Sequence, residues 1–108
     1  MEIVSYEDFK RLDIRVVKVL KAEAFPNKTK IVKLVVDTGS GESRTMIAGG
    51  AEFYDPESFL NKKYIALVNL APKKIAGVMS QGMLLAANVE GKPIWLTAEE
   101  APVGSKVL

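Results

Sequence analysis

The chain has 108 residues, 48% of them hydrophobic and 26% charged, a mixture that suits one globular domain over residues 1–108 rather than a disordered segment. It contains neither cysteine nor histidine, which excludes a disulfide framework, a thiolate zinc site, a cysteine nucleophile and any Ser-His-Asp arrangement. No apolar run approaches the roughly 20 residues a membrane span needs, and the N-terminus is acidic where a signal peptide is basic. A soluble, cytoplasmic protein with no membrane association, no metal, no cofactor and no catalysis of its own is expected.

In chain order, Ser5 followed by Asp8, Phe9 and Leu12 predicts a capped short helical turn. From Leu12 to Leu20 apolar residues alternate, with Leu12, Ile14 and Val16 opposite Asp13 and Arg15, which predicts a strand. The alternation slips at Val16-Val17, where a bulge is expected. Pro26-Asn27 marks a turn, Ile31 to Val36 a second strand, Thr38 to Gly41 a hairpin turn, and Thr45 to Ala48 a third strand. Asp55-Pro56-Glu57 has the N-cap and first-turn residues of a short helix. Tyr64 to Leu70 is a nearly continuous apolar strand, Pro72 to Gly82 a basic loop punctuated by glycine, and Met83 to Ala87 a further strand. Glu90-Gly91-Lys92 suits a hairpin turn before Pro93 to Leu96, and Thr97 to Glu100 has the pattern of a capping box.

Five short strands with one helix between the third and fourth fit an all-β fold with short helices: a five-stranded Greek-key barrel, the OB-fold, with small N- and C-terminal extensions. A generic small barrel or sandwich shares that strand spacing. In an OB-fold, ligands lie across strands two and three, between the loop after strand one and the loop before strand five. Those loops are here Phe25–Lys30 and Ala71–Gly82. The net charge is only +2, but it is unevenly placed. Residues 10–33 carry Lys10, Arg11, Arg15, Lys18, Lys21, Lys28, Lys30 and Lys33 against Asp13 and Glu23, and residues 61–83 carry Lys62, Lys63, Lys73 and Lys74 with no acid. An acidic stretch separates the two blocks. From charge alone a solvated surface of alternating patches is the favoured reading; in the barrel, the two ligand-flanking loops contain or directly flank much of both basic blocks, so fold and charge agree on a one-sided basic field.

Three stretches then carry a resemblance: Asp8-Phe-Lys-Arg-Leu-Asp-Ile-Arg-Val16, Lys30-Ile-Val-Lys-Leu-Val-Val-Asp37, and Asn69-Leu-Ala-Pro-Lys-Lys-Ile-Ala-Gly-Val-Met-Ser-Gln-Gly-Met-Leu-Leu-Ala-Ala87. Together they resemble the tRNA-binding domain, found as the C-terminal appendix or beta subunit of methionyl-tRNA synthetases and as a free-standing structure-specific tRNA-binding protein. The same domain occurs in eukaryotic synthetase cofactors and in a small secretion-linked chaperone family. The most specific element is Ser80-Gln81-Gly82-Met83. The resemblance implies a homodimeric or appended module that holds the outer corner of L-shaped tRNA and raises a synthetase's affinity for it. It implies tRNA contacts at Lys30, Lys33, Ser80, Gln81 and Met83, with Lys73 and Lys74 in the same basic loop.

Without the resemblance, Met83 suits a core position, Ser80 a loop-shaping bond to backbone, and Lys28, Lys62 and Lys63 solvated surface charge. Ala71 and Ala76 stand where many relatives carry Lys or Arg, Met79 replaces a frequent Glu, and Val17 sits where glycine is common. The apolar ends, Ile3, Val4, Ile94, Trp95, Leu96, Val103, Val107 and Leu108, either close their own barrel or pack on a second copy, with Trp95 the expected anchor of a homodimer. The chain begins at Met1 just before the domain and ends just after it, so it is read as complete. The partner expected is tRNA, with a methionyl-tRNA synthetase catalytic subunit as a further one; the competing function is a dimeric chaperone of the same fold that binds unfolded peptides.

Overall fold

The first long strand, β1 (Ile14–Ala24), organises the computed structural model, which describes all residues from Met1 to Leu108. Through Ile14–Lys18 it pairs with β4 (Lys63–Leu67), and from Lys18 onward with β2 (Ile31–Asp37), so one strand belongs to both halves of the sheet. β2 continues into β3 (Ser43–Gly49), and β4 pairs with β7 (Met83–Leu84). The antiparallel order β3-β2-β1-β4-β7, with β3 also touching β7, makes a nearly closed five-stranded barrel. This is the expected OB-fold. Two small ribbons complete it: β5 (Lys73–Ile75) with β6 (Val78–Ser80), and β8 (Ala86–Val89) with β9 (Lys92–Trp95).

The interior follows the period of two. Val32, Leu34 and Val36 of β2 are fully buried and alternate with half-exposed residues. Val17 and Val19, Met46 and Ala48, Tyr64 and Ala66, and Leu84 join them in the core cluster. Where Asp55-Pro56-Glu57 predicts a short helix, the chain makes a single 3-10 turn, Pro56–Phe59, with no hydrogen bond from the Asp55 side chain; its Phe59 is buried against the rings of Tyr54, Tyr64 and Trp95 at centroid separations of 6.2, 5.8 and 5.6 Å.

Four local expectations are corrected. The bulge lies at Leu20, between Val19 and Lys21, not at Val16-Val17. Val17 enters the core cluster, while Val16 is buried where the C-terminal segment pairs with β1 through Val16 N–H to Ser105 O (2.9 Å) and Gly104 N–H to Val16 O (2.7 Å). β4 stops at Leu67 rather than Leu70. The chain turns there, and the Asn69 side chain accepts from Asp13 N–H (2.8 Å) and donates to Arg11 O (2.7 Å). The Pro72–Gly82 stretch is the β5–β6 ribbon, not a loop without strands. Thr97–Glu100 forms no helix: Thr97 bridges to Tyr64, and the Glu99 carboxylate accepts the Lys63 N–H at 3.1 Å, so this segment runs along β4. The N-terminal helix α1 (Tyr6–Lys10) is capped as expected, Ser5 Oγ accepting from Asp8 N–H at 3.1 Å.

Candidate nucleic-acid interface

Because Val32, Leu34 and Val36 point inward, Lys33 must point outward, and the register sets it between Glu23 on β1 and Ile47 on β3. Ile47 shares that outer face, being out of phase with buried Met46 and Ala48. Lys30 sits just before β2 and is exposed, its carbonyl accepting from Ala51 N–H (3.3 Å). The two lysines therefore occupy different positions at the start of one strand rather than a common face.

Beside this face lies the β5–β6 ribbon. An open cavity of about 190 Å³ is lined by Ile47, Leu70, Ala71, Lys73, Ile75, Ser80, Gly82 and Met83. Lys73, opposite Ser80, lines it, whereas Lys74 pairs with Met79 one step along the ribbon and is not among its walls. Lys30, Lys33, Lys73 and Lys74 take part in none of the ion pairs of the chain, so their charges are available to an anionic partner. Lys63 is different: its ammonium donates to Ala101 O (2.9 Å) and Glu99 O (3.3 Å), which fastens the C-terminal segment.

The Ser80-Gln81-Gly82-Met83 block divides between framework and surface. Ser80 is buried, and its hydroxyl is fully engaged: it accepts from Ile47 N–H (2.9 Å) and donates to Gly82 O (3.1 Å). Gln81 binds β3 as a strand would, its N–H donating to Thr45 O (2.8 Å) and its Oε1 accepting from Thr45 N–H (3.0 Å). Only the side-chain NH2 of Gln81 remains for another molecule. Gly82 has φ of 139°, and a Cβ there would stand 2.5 Å from Met46 Cε and 2.9 Å from Leu67 O. Three of the four residues thus knit the ribbon to the barrel. Met83 is 44% exposed beside them, not in the core position that an apolar strand suggested, while its neighbour Leu84 is buried.

The chain matches the family model described as "Putative tRNA binding domain" over residues 14–106. The chain belongs to the tRNA-binding domain family. It is 46% identical over 107 residues to a methionine–tRNA ligase of Archaeoglobus fulgidus, covering 98% of this chain and 16% of that one. To that of Pyrococcus horikoshii it is 45% identical over 108 residues, covering 99% and 15%. This tRNA-binding domain therefore spans about one-sixth of the length of those relatives. A crystal structure of a MetRS-related protein from Pyrococcus horikoshii superposes with a TM-score of 0.94 at 43% identity over the whole of both chains. The chaperone CsaA from Bacillus anthracis superposes at 0.88 with 30% identity, covering 99% of this chain and all of that one.

Among the apolar ends, Trp95 is half-buried against Tyr54, Phe59 and Tyr64 of its own barrel, with its indole N–H buried and unpartnered. Ile94 and Leu96 are exposed, Val103 is half-buried, and Ile3 and Val4 stand out in solvent. Tyr6, Phe9, Leu12, Val107 and Leu108 line a groove of about 320 Å³ between the two extensions. No helix is long and apolar enough to cross a membrane. The shifted side chains lie away from the ribbon face: the Arg15 hydrogen bond, helped by Lys106, holds the Asp13 carboxyl below its ordinary range against the opposing effect of burial. Burial, with Glu99 and Tyr54 adding to it, pushes Tyr64 up to about 12.

Proposed function

We propose that residues 1–108 act as one structure-specific tRNA-binding module whose outer β2–β3 face and β5–β6 ribbon hold the outer corner of tRNA. In this reading it serves an aminoacyl-tRNA synthetase in the cytoplasm, the methionyl enzyme first, as a non-catalytic beta subunit or trans-acting cofactor. The observation that carries the reading is the grouping of Lys33 beside Ile47, with Lys73 and Met83 around one open cavity and neither lysine ion-paired. Lys30, Lys33, Lys73 and Lys74 neutralise backbone phosphates, Met83 offers a soft apolar surface to an unstacked base, and the Gln81 NH2 donates to a 2′-hydroxyl or base edge. Ser80 holds the ribbon rather than touching the RNA.

A homodimer belongs to the same proposal. Ile3, Val4, Ile94 and Leu96, with half-buried Val103 at the edge, supply exposed apolar surface of the kind protomers cover; Trp95 backs that surface from inside its own barrel. The groove between the extensions and the likeness to CsaA favour a second reading, a dimeric chaperone that takes unfolded peptides.

Competition separates the two. Folded, unfractionated tRNA should bind and resist displacement by duplex RNA and by an unfolded polypeptide. Saturable binding of the unfolded polypeptide, with no saturable tRNA binding, supports the chaperone. Sedimentation at micromolar protein should give twice 11.8 kDa, and a mass near 11.8 kDa contradicts the dimer.

A further inference from the structure

Where the start of β1, the β2–β3 turn, the start of β3 and the C-terminal segment converge, a cavity of about 230 Å³ opens whose only apolar wall is Val68. Two guanidiniums face it. Arg15 donates through Nε to Asp13 Oδ1 (2.6 Å) and through one terminal nitrogen to Gly104 O (3.1 Å), leaving three of its five N–H donors without a protein acceptor. Arg44 is half-buried, donates once to Val68 O, and has no carboxylate partner, leaving four. The turn adds two hydroxyls, Thr38 Oγ1 and Ser40 Oγ, 3.0 Å apart; whichever donates to the other, one hydroxyl proton is left over.

One carboxylate, Asp13, is itself a wall, and its Oδ1 takes Arg15 Nε and, at 3.4 Å, the Lys106 ammonium; Asp37, at the start of the turn, accepts from Gly39 N–H at 2.8 Å through its Oδ1. The walls therefore hold a surplus of donors and of positive charge over acceptors. These donors reach solvent, and a charged acceptor that takes several of them at once replaces water with charge-assisted hydrogen bonds, the stronger kind. They come from two strands and a turn, so they surround a tetrahedral ligand from several directions better than they match the single plane of a carboxylate.

We propose that this cavity is a phosphate-binding site, separate from the ribbon face, with Arg44 as its principal ligand and Arg15 and Ser40 completing it. The phosphate comes either from solution or from the backbone of a bound RNA.

The test follows the backbone amides of Gly39 and Ser40 and the Nε–H groups of Arg15 and Arg44 by NMR. Inorganic phosphate is titrated into the full chain at constant ionic strength, with chloride as control. Phosphate should move these signals saturably and chloride should not. Arg44→Gln should weaken binding by about tenfold or more, and Ser40→Ala, at an exposed position with no backbone role, by about threefold. Lys62→Ala, at an exposed lysine that lines neither this cavity nor the ribbon cavity, should leave it unchanged. In phosphate-free buffer, tRNA that moves the same signals only when Arg44 is present identifies an RNA phosphate as the ligand. tRNA that leaves them still while inorganic phosphate moves them identifies a free phosphate; both results support the site. A linear drift shared by chloride, or an unchanged response in folded Arg44→Gln and in Ser40→Ala, overturns it.

Discussion

Gly82 is the most constrained residue of the ribbon face, because its φ of 139° and the nearness of Met46 Cε and Leu67 O leave no room for a Cβ. Gly82→Ala is expected to cost on the order of 3 kcal/mol, measured by denaturant unfolding. Ser80→Ala strands the Ile47 N–H and the Gly82 carbonyl and should cost about 1–3 kcal/mol. Lys33→Ala should change stability by no more than about 0.5 kcal/mol, because Lys33 makes no ion pair in the fold. A Ser80→Ala variant as stable as the parent would contradict the framework role. The residues of this face were legible as a block, yet how the block divides was not. Ser80 and Gln81 find their partners 33 and 36 positions away on β3, and no local pattern encodes such pairings. Ile47 was within reach of the period of two, since it is out of phase with Met46 and Ala48.

At the scale of elements, the β5–β6 ribbon turns through Ala76 (φ 50°) and Gly77 (φ 82°), two left-handed residues in succession as a tight hairpin requires. Alanine is strained there, whereas asparagine before glycine is the favoured pair. Ala76→Asn should therefore slow amide exchange across Ile75–Val78 and raise stability by about 0.5 kcal/mol. Faster exchange in the variant would mean the turn is not the one described. The same Ala-Gly pair explains why the ribbon escaped sequence reading: it lacks the Asn-Gly or Asp-Gly signature, and strands of three residues show no period. The five barrel strands were legible because β2 and β3 alternate cleanly. β1 misled because both Val16 and Val17 are buried, one beside the C-terminal segment and the other in the core. Thr97–Glu100 misled because a capping-box pattern serves here to run a chain along β4.

Over the whole molecule, two groups couple stability to pH. Asp13 is held below its ordinary range, so its contribution is present above the unfolded carboxylate value of about 3.9 and is lost as pH falls through the lowered folded value. Asp13→Asn should flatten that acid limb. Tyr64 is pushed up to about 12, so its neutral phenol stabilises the fold below the ordinary value near 10, and this is lost as pH rises through 12. Tyr64→Phe should flatten the alkaline limb, read from unfolding midpoints against pH. An unchanged profile in either variant would remove that residue from the account.

The most direct measurement of whether the outer β2–β3 face holds RNA is the affinity for folded tRNA across a salt series, for the parent chain and for Lys33→Ala. Log affinity should fall linearly with log salt, and the variant should bind more weakly with a slope smaller by about one phosphate's share, roughly 0.7 to 0.9. An unchanged affinity and slope in a folded Lys33→Ala would contradict binding on this face, and the RNA would have to lie elsewhere on the barrel.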